Sequence, residues 1–257
     1  MLLLIDAGNT RIKWGTVALP EASSPALPAW HASGSISHDD LPGLAASLVA
    51  GPAIRAILIS NVAGATIRDA LTACLAGIAP AVAPLWFASL PQLAGVRNAY
   101  RNPAQLGCDR FASAIAAHAL YPQQNIVVAT CGTATTIDAV SADGVFQGGM
   151  ILPGLKLMAQ SLARNTAQLP QVAESISVDS VFADNTDQAI VSGCITAQVG
   201  AIERAVANWQ RTQQTPVSCV ISGGAAPYLL PHLGVPYRHI DNLVLSGLYQ
   251  VAKPENV

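Results

Sequence analysis

The chain has 257 residues, of which 51% are hydrophobic and only 11% are charged. This length allows one large domain or two modest ones. The formal net charge is -2 and the 13 lysines and arginines are spread along the sequence, so the clustered basic face of a nucleic-acid-binding protein is not expected. The low charge fraction is explained equally well by a subunit interface and by an alanine-rich composition.

The five cysteines and five histidines form no disulfide or metal-binding pattern. The odd number of cysteines and the absence of a Cys-x-x-Cys spacing favour a reducing compartment, and the histidines are expected to be surface or packing residues. The apolar start has no basic segment before it and stops at Asp6, so no signal peptide is expected. Pro, Gly, Arg or Asp interrupts every apolar run before the roughly 18 residues of a membrane span. These features predict a cytoplasmic protein with no membrane segment.

The first half of the chain begins with two strands joined by a small turn. Residues 1–5 predict a buried strand, and the alternating residues 11–19 predict an antiparallel strand beside it. Residues 20–42 are rich in Pro, Ser and Ala and are expected to be mostly loop, with room for one edge strand. Further elements expected here are helices at 41–49, 65–75 and 109–120, strands at 53–60 and 83–87, and a loop at 97–108.

The second half repeats this opening. A strand that begins at Asn125 runs into the small-residue turn 131–135, and a returning strand follows at 136–140. The remaining elements expected are a hairpin turn at 141–144, a strand at 145–150, helices at 154–167, 185–210 and 241–252, and a final strand at 217–224. The repeat predicts two related domains, residues 1–115 and 116–257, with a cleft between them.

The first turn, Asp6-Ala7-Gly8-Asn9-Thr10, has the composition of a phosphate-binding turn. Backbone N–H groups in such a turn can face an anion, and Gly8 lets a phosphate approach without a Cβ atom in the way. Thr10 adds a hydroxyl donor and Lys13 a nearby positive charge, while Asp6 suits a water-mediated Mg²⁺ contact. Taken alone, the segment is more simply an ordinary hairpin turn, because Asp-x-Gly is common between strands.

Two further turns offer similar chemistry. The run Gly132-Thr133-Ala134-Thr135-Thr136 supplies hydroxyls and an unhindered glycine for a phosphate, although threonine also has strand propensity. The turn Ser222-Gly223-Gly224-Ala225 would let a flat adenine lie against the backbone. Each of the three turns ends an apolar strand, and together they predict a nucleotide-binding protein.

The nucleotide-binding motif is neither a P-loop nor a Rossmann fingerprint, because the sequence contains no GxxxxGK[ST] and no GxGxxG after a strand. The paired arrangement of strand, Gly/Thr turn and strand instead resembles the superfamily of acetate kinase, hexokinase, heat-shock chaperones and actin. This resemblance implies an α/β protein with two related domains of actin-like, ribonuclease H-like fold and a nucleotide cleft between them.

The order of the motifs is similar to that of the type III pantothenate kinases over nearly the whole chain. The motifs are Asp6-x-Gly8-Asn9-Thr10, Asn98-x-Tyr100-x-x-Pro103-x-x-Leu106-Gly107-x-Asp109-Arg110, Gly132-Thr133-Ala134-Thr135-Thr136, Gly148-Gly149-x-Ile151-x-Pro153-Gly154, Leu169-Pro170, Asn185-Thr186 and Ser222-Gly223-Gly224. The resemblance implies ATP-dependent phosphorylation of pantothenate to 4′-phosphopantothenate, the first step of coenzyme A biosynthesis.

The resemblance also implies a role for individual residues. Asp109 would be the general base that takes the proton of the pantothenate hydroxyl as its oxygen attacks the γ-phosphorus of ATP. The residues expected to bind pantothenate are Tyr100, Gly107, Cys108, Asp109, Arg110 and, from a second copy of the chain in a homodimer with a shared site, Thr186. The residues expected to bind ATP are Asp6, Ala7, Gly8, Asn9, Thr10, Arg11, Ile12, Lys13 and Thr133. The expected metal is Mg²⁺, which Asp6 would contact through water, and Asp138 is a secondary site candidate.

One departure from the family concerns a monovalent cation. The resemblance implies that K⁺ or NH₄⁺ binds near the second turn, where the family often has an aspartate two residues before the glycine. Thr130 occupies that position here. A neutral hydroxyl is a poor sole ligand for K⁺, so weak dependence on this ion is expected. Ala225 likewise stands where an acid is common.

Other interpretations of these residues stay open at this point. Asp109 also suits the N-cap of a helix, which is compatible with a catalytic role. Cys108 has no His/Asn setting and is expected to be a packed neighbour rather than a nucleophile. A phosphatase of the same superfamily is the nearest enzymatic alternative, and a non-catalytic regulatory protein of the same fold is the alternative from another class. The acceptor block 100–110 and the intact Asp109, Arg110 and Thr186 favour the kinase.

Overall fold

A computed structural model describes residues 1–49, 51–165 and 180–256. The described strands are β1 (Leu2–Ala7), β2 (Arg11–Val17), β3 (Ala32–Ser37), β4 (Ala56–Asn61), β5 (Leu85–Phe87), β6 (Gln92–Leu93), β7 (Val96–Asn98), β8 (Asn125–Cys131), β9 (Ala134–Val140), β10 (Val145–Pro153), β11 (Val217–Ser222) and β12 (Arg238–His239). The described helices are α1 (Leu41–Val49), α2 (Ala65–Ile78), α3 (Cys108–Leu120), α4 (Leu155–Asn165), α5 (Thr186–Gln213), α6 (Ala226–Leu229) and α7 (Leu243–Val251). The Leu169-Pro170 motif and the end of the helix expected at 154–167 lie outside the described residues.

The chain forms two compact units. The first comprises Met1–Gln123, Ala142–Gln147 and Asn242–Val257, and the second comprises Gln124–Ser141 and Gly148–Asp241. This division differs from the expected limits of 1–115 and 116–257 because the chain returns to the first unit twice. The start of β10 pairs with β7, and the C-terminal helix α7 packs on α3.

A five-stranded sheet forms the centre of the first unit, in the order β3-β2-β1-β4-β5. Strand β2 runs antiparallel to β1 and to the edge strand β3, whereas β4 is parallel to β1. Alternate residues of β1, such as Leu3 and Ile5, pack in a cluster with Leu44 of α1 and Leu71 of α2. Because side chains alternate across a strand, Asp6 points away from this cluster.

Helices α3 and α7 are the most deeply buried helices of the first unit. Residues Arg110–Ala117 of α3 and Leu243–Gln250 of α7 are buried throughout. The two helices touch where Gly247 meets Ala112, so closely that a Cβ atom on Gly247 would overlap the carbonyl oxygen of Ala112. The predicted helix at 109–120 therefore exists, and a partner from the far end of the sequence holds it in place.

The second unit contains a sheet in which β11 and β8 are parallel and β8 and β9 are antiparallel. The long helix α5 packs on one face of this sheet, where Val199 and Ile202 join a cluster with Val127, Cys131 and Ile221. Helix α5 is also, among the described residues, the one helix long and apolar enough to cross a membrane by length and composition. Buried core helices pass the same test, and the fully buried Gln198 lies in this helix.

Three short strands depart from the predicted elements. Strand β12 follows β11, so the strand expected to be final is not the last. Strands β6 and β7 come shortly before and at the start of the segment expected to be a loop at 97–108, and a 3-10 turn at Pro103–Gln105 lies within it. Each of these strands has only two or three residues, too few for the alternation of apolar and polar side chains by which strands are predicted.

Candidate active site

The turn between β1 and β2 is held by backbone hydrogen bonds and has two exposed residues. The N–H of Gly8 donates to the carbonyl oxygen of Arg11 at 3.1 Å, while Asn9 and Thr10 are exposed. The ring Nε2 of His38 donates to the carbonyl oxygen of Gly8 at 2.8 Å. His38, the residue after β3, thus holds the turn in place, a contact that no local sequence pattern predicts.

Not every residue of the predicted ATP-binding segment points a side chain to the turn. The side chains of Ala7 and Ile12 are fully buried in the core, so these two residues could meet a nucleotide only through their backbone. The Arg11 side chain donates to Ser35, from Nε to Oγ at 2.8 Å and from Nη2 to the carbonyl oxygen at 3.0 Å. Side chains at alternate positions of a strand face opposite ways, which separates Asp6 and Lys13 from Ala7 and Ile12.

Asp6 lies in a row of polar residues at the ends of two parallel strands. It pairs with Lys13 of β2 and with Ser60 of β4. Ser60 is fully buried, and its hydroxyl lies 3.3 Å from the Sγ of Cys108 at the start of α3. This contact brings the first turn of α3 to the end of β1, beside Asp6.

The carboxyl groups of Asp6 and Asp109 affect each other through this arrangement. Burial, followed by the negative charge of Asp109, raises the pKa of Asp6 to about 7, and Lys13 opposes the change. One carboxylate oxygen of Asp6, Oδ1, is buried and makes no hydrogen bond with the described residues. An unsatisfied buried oxygen is costly unless a ligand or water completes it, and this oxygen fits the water-mediated Mg²⁺ contact expected of Asp6.

Asp109 occupies the first turn of α3, and the N-cap is Gly107 rather than Asp109. The Asp109 carboxylate accepts a hydrogen bond from the N–H of Arg110 at 2.8 Å. Burial raises the pKa of Asp109, while the Arg110 N–H and the Arg110 charge act against that rise. A Cβ atom on Gly107 would lie 2.6 Å from the Asp109 carboxylate, so a side chain at this position would displace the carboxylate.

The residues expected to bind pantothenate from within one chain, namely Tyr100, Gly107, Cys108, Asp109 and Arg110, lie at the same helix end. The Nη1 of Arg110 donates to the Tyr100 hydroxyl at 3.0 Å, and Phe146 packs against both side chains. Cys108 also approaches the carbonyl oxygen of Asn61, at 3.6 Å, and burial raises the pKa of its thiol. Cys108 is thus a packed neighbour, as predicted from its sequence context.

The second unit builds a turn of its own from three close glycines. Gly132 and Thr133 are exposed between β8 and β9. A Cβ atom on Gly154 would overlap the carbonyl oxygen of Gly132, and one on Gly223 would overlap that of Cys131. Gly223 also has a φ of 100°, a conformation that side chains other than glycine rarely adopt. The second and third predicted turns are therefore neighbours.

Other predicted site residues also belong to the second unit. Thr186 begins α5, where it is exposed, and the preceding Asn185 caps the helix by accepting from the N–H of Gln188 at 3.0 Å. Asp138 is buried in β9. Thr130 pairs with Thr136 and Ser222 across three strands.

The described residues contain no preformed cluster of metal ligands. Within residues 1–49, 51–165 and 180–256, no group of three or more His, Cys, Asp or Glu side chains is placed to hold a metal ion. Mg²⁺ at a phosphoryl-transfer site usually keeps several waters and binds through one or two carboxylates and the substrate phosphates. The Asp6 carboxyl group, with its unsatisfied buried Oδ1, agrees with that kind of site.

The chain is similar in sequence and in fold to known proteins. The family model described as type III pantothenate kinase matches residues 2–208. Type III pantothenate kinases from Herminiimonas arsenicoxydans and Janthinobacterium sp. strain Marseille are each 55% identical to this chain, covering 98% of it and 97% of their own length. A solved structure from Sinorhizobium meliloti, assigned as a 2-dehydro-3-deoxygalactonokinase, covers 98% of both chains at 14% identity with a TM-score of 0.56, which shows the same fold. The chain belongs to the type III pantothenate kinase family.

Proposed function

We propose that this chain is an ATP-dependent pantothenate kinase that catalyses the first step of coenzyme A biosynthesis. The observation that carries the proposal lies in the first unit, where Asp109 of α3 comes to the end of β1 beside Asp6 and the turn that follows. A phosphate-binding turn next to a buried carboxylate is the arrangement that phosphoryl transfer to an alcohol needs.

Asp109 is the group that accepts the proton from the primary hydroxyl of pantothenate. As the O–H bond breaks, the hydroxyl oxygen forms a bond to the γ-phosphorus of ATP and the bond from that phosphorus to the β–γ bridging oxygen breaks. The products are 4′-phosphopantothenate and ADP. Burial raises the pKa of Asp109, which makes the carboxylate a stronger base, while the Arg110 charge favours its ionised form.

ATP is assigned to the turn after β1. There Gly8, Asn9 and Thr10 offer backbone and hydroxyl donors, and Lys13 adds positive charge beside Asp6. Thr133, which is exposed between β8 and β9, is a further candidate for ATP binding. Mg²⁺ bound to ATP supplies neutralisation of phosphate charge, and Asp6 would hold it through water.

Pantothenate is assigned to the end of α3. Tyr100 and Arg110 offer a ring and a cation, and Gly107 and Cys108 offer backbone. Arginine suits a carboxylate substrate because its planar guanidinium can donate two parallel hydrogen bonds. Thr186 would reach the substrate from a second copy of the chain.

The homodimer that this role of Thr186 requires has support in exposed apolar side chains of the second unit. Phe182 is 92% exposed, and Ile151 and Val181 are 66% and 62% exposed. The hydroxyl of Ser192 donates to the carbonyl oxygen of Val181 at 2.7 Å, which holds this segment against α5, close to Thr186. A second copy that covers these side chains would remove apolar surface from water.

The decisive experiment is a direct assay of the purified protein. We expect incubation with ATP, Mg²⁺ and pantothenate to produce ADP and 4′-phosphopantothenate in equal amounts, identified by mass spectrometry. A reaction without pantothenate is the control for simple ATP hydrolysis. ADP formation that does not depend on pantothenate would contradict the proposal and would favour a phosphatase. A cytoplasmic location is part of the same proposal.

A further inference from the structure

Phe146 lies at the start of β10 and has no exposed surface. It pairs with Asn98 of β7, and its carbonyl oxygen accepts a hydrogen bond from the N–H of Ala99 at 3.0 Å. This ladder fixes the Phe146 backbone next to the segment that leads to Tyr100. The sequence patterns predict that residue 146 lies in a strand and indicate no role for it in the site.

Phe146, Tyr100 and Arg110 form an arrangement that we call the aromatic clamp. The Cζ atom of Arg110 lies 5.8 Å from the centroid of each ring. The two rings meet edge to face, with centroids 5.7 Å apart and planes inclined by 63°. Arg110 also donates from Nη1 to the Tyr100 hydroxyl at 3.0 Å. A cation over two aromatic rings is attracted to both, and more strongly where water is excluded.

The loop after β7 keeps Tyr100 in this place. The Asn98 side chain accepts a hydrogen bond from the N–H of Tyr100 at 3.1 Å and donates to the carbonyl oxygen of Pro103 at 3.1 Å. Asn98 is itself buried. The tyrosine side of the clamp is thus set by polar contacts within its own loop, and the other side depends on the Phe146 ring.

We propose that Phe146 is a positioning residue for pantothenate binding, because its ring fixes the guanidinium of Arg110 in the orientation that the substrate meets. The inference rests on the proposed function, which assigns Arg110 to pantothenate. An arginine side chain has many accessible rotamers in water, and a ligand that must order them binds more weakly. Arg110 is buried in the folded chain, and the Phe146 ring is one of the contacts that orient its guanidinium before the substrate arrives. Phe146 acts through Arg110 and need not touch the substrate.

Loss of the Phe146 ring should weaken the binding of pantothenate but not that of ATP. Without the Phe146 ring, Arg110 keeps its charge and its bond to Tyr100 but loses one of the two rings that orient its guanidinium. We expect the KM for pantothenate to rise about tenfold, which corresponds to about 1.4 kcal/mol of lost binding. The KM for ATP and the kcat at saturating pantothenate should stay within about twofold of the wild-type values, since the clamp contains no residue assigned to ATP.

The test compares Phe146→Met with a matched control, Phe111→Met. Methionine keeps a similar apolar volume and removes the ring. Phe111 is equally buried and follows Arg110 in α3, but its ring stacks on Phe87 at 6.1 Å rather than on Arg110. Both variants should lose stability in urea unfolding, and only Phe146→Met should raise the pantothenate KM. Phe146→Tyr keeps a ring, so its KM for pantothenate should be close to the wild-type value. Phe146→Leu serves as a second variant without a ring.

The outcomes separate this inference from the proposed function. If the wild-type protein phosphorylates pantothenate and the ringless variants keep the wild-type KM, the inference is wrong and the proposed function stands. If Phe111→Met raises the pantothenate KM as much as Phe146→Met does, the effect comes from loosened packing of α3 and the inference is also wrong. If the wild-type protein does not phosphorylate pantothenate, the proposed function is wrong, and the inference that rests on it is wrong as well.

Discussion

Asp6 at the end of β1 and Asp109 in the first turn of α3 are electrostatically coupled, although they are distant in the sequence. Burial and then the charge of Asp109 raise the pKa of Asp6 to about 7. The contact between Ser60 and Cys108, at 3.3 Å, joins the strand end to the helix that carries Asp109. The relationship links the turn proposed to bind phosphate to the proposed base within one unit.

Removing the charge of Asp109 tests its role as the base. Asp109→Asn keeps the shape of the side chain and cannot accept the proton, so we expect kcat to fall about 10²–10⁴-fold. The variant should fold normally, as judged by its circular dichroism spectrum and unfolding midpoint. Asp69→Asn, at an exposed position in α2, is the matched control and should keep the wild-type rate. A near-wild-type rate for Asp109→Asn at saturating substrates would show that another group is the base.

The exposed side chain of Phe182 leads to a prediction about assembly. We expect the protein to be a homodimer at micromolar concentration, as measured by light scattering, because a second copy would cover Phe182, which is 92% exposed. Phe182→Ser should shift the equilibrium towards the monomer. Leu85→Ser replaces an apolar side chain of the first unit that is 66% exposed and should leave the mass unchanged. A monomeric mass for the wild-type protein would contradict both the predicted homodimer and the predicted site shared between two copies.

His118 near the end of α3 should make stability depend on pH. Burial lowers the pKa of His118 from 6.5, and Asp143 partly opposes the change. The unfolded chain therefore binds more protons than the folded chain between the two pKa values. The stability that neutral His118 provides is fully present above about pH 6.5 and is lost as the pH falls from there through the lower folded pKa.

A neutral replacement isolates this contribution from those of other groups. We expect the difference in unfolding free energy between the wild-type protein and His118→Gln to shrink between pH 7.5 and pH 5 in urea titrations. The His118 ring packs near Gly95 and Gly144, so the substitution should also disturb this packing and lower the stability at every pH. A difference that stays constant over this range would show that His118 does not charge on unfolding.

Local patterns accounted for the elements that carry the site but not for their long-range contacts. The strand before Gly8 and the helix from Asp109 were predictable because alternation, apolar runs and turn residues are properties of neighbouring positions. Phe146 could not be found from the sequence because its proposed role depends on pairing with β7 and on packing against Arg110. The burial of Ala7 and Ile12 also limits the predicted ATP-binding segment, since only alternate side chains of a strand reach the same face.

The limits of the two compact units differ from the expected domain limits for a similar reason. No composition change marks residues 142–147 or α7 as parts of the first unit. Their membership depends on pairing with β7 and on the close approach of Gly247 to Ala112. A missing side chain leaves no periodic signal, so a contact that depends on glycine is visible only in the structure.

Gly247 should be intolerant of even one methyl group. In Gly247→Ala the new Cβ atom would overlap the carbonyl oxygen of Ala112, so α3 and α7 must separate. We expect a loss of about 1–3 kcal/mol of stability in urea unfolding, and a lower kcat because α3 carries Asp109. Gly77→Ala is the matched control in α2, where a Cβ atom meets nothing within 4 Å, and should gain about 0.5–1 kcal/mol. Equal stability of the two variants would refute the tight contact.

Thr130 is the basis of the prediction about monovalent cations. It lies between Thr136 and Ser222 in a row of three hydroxyl residues across β9, β8 and β11. The Oγ1 of Thr136 is buried and makes no hydrogen bond with the described residues. The row supplies oxygens without a formal charge, whereas a carboxylate at position 130 would add one negative charge.

Activation by K⁺ or NH₄⁺ should therefore be weak in the wild-type protein and stronger in Thr130→Asp. The attraction between a cation and a carboxylate about 4 Å apart is roughly 4 kcal/mol at an effective dielectric constant of 20. Dehydration of the ion offsets much of this, yet about 1.4 kcal/mol that remains would change the affinity about tenfold. Thr130→Asn, similar in shape to aspartate but neutral, is the control and should resemble the wild-type protein. Initial rates measured against K⁺ concentration, with Na⁺ holding the ionic strength constant, provide the test. A steep, saturable activation of the wild-type protein at low millimolar K⁺ would mean that the hydroxyl row, together with backbone carbonyl and ATP oxygens, holds the ion without a carboxylate.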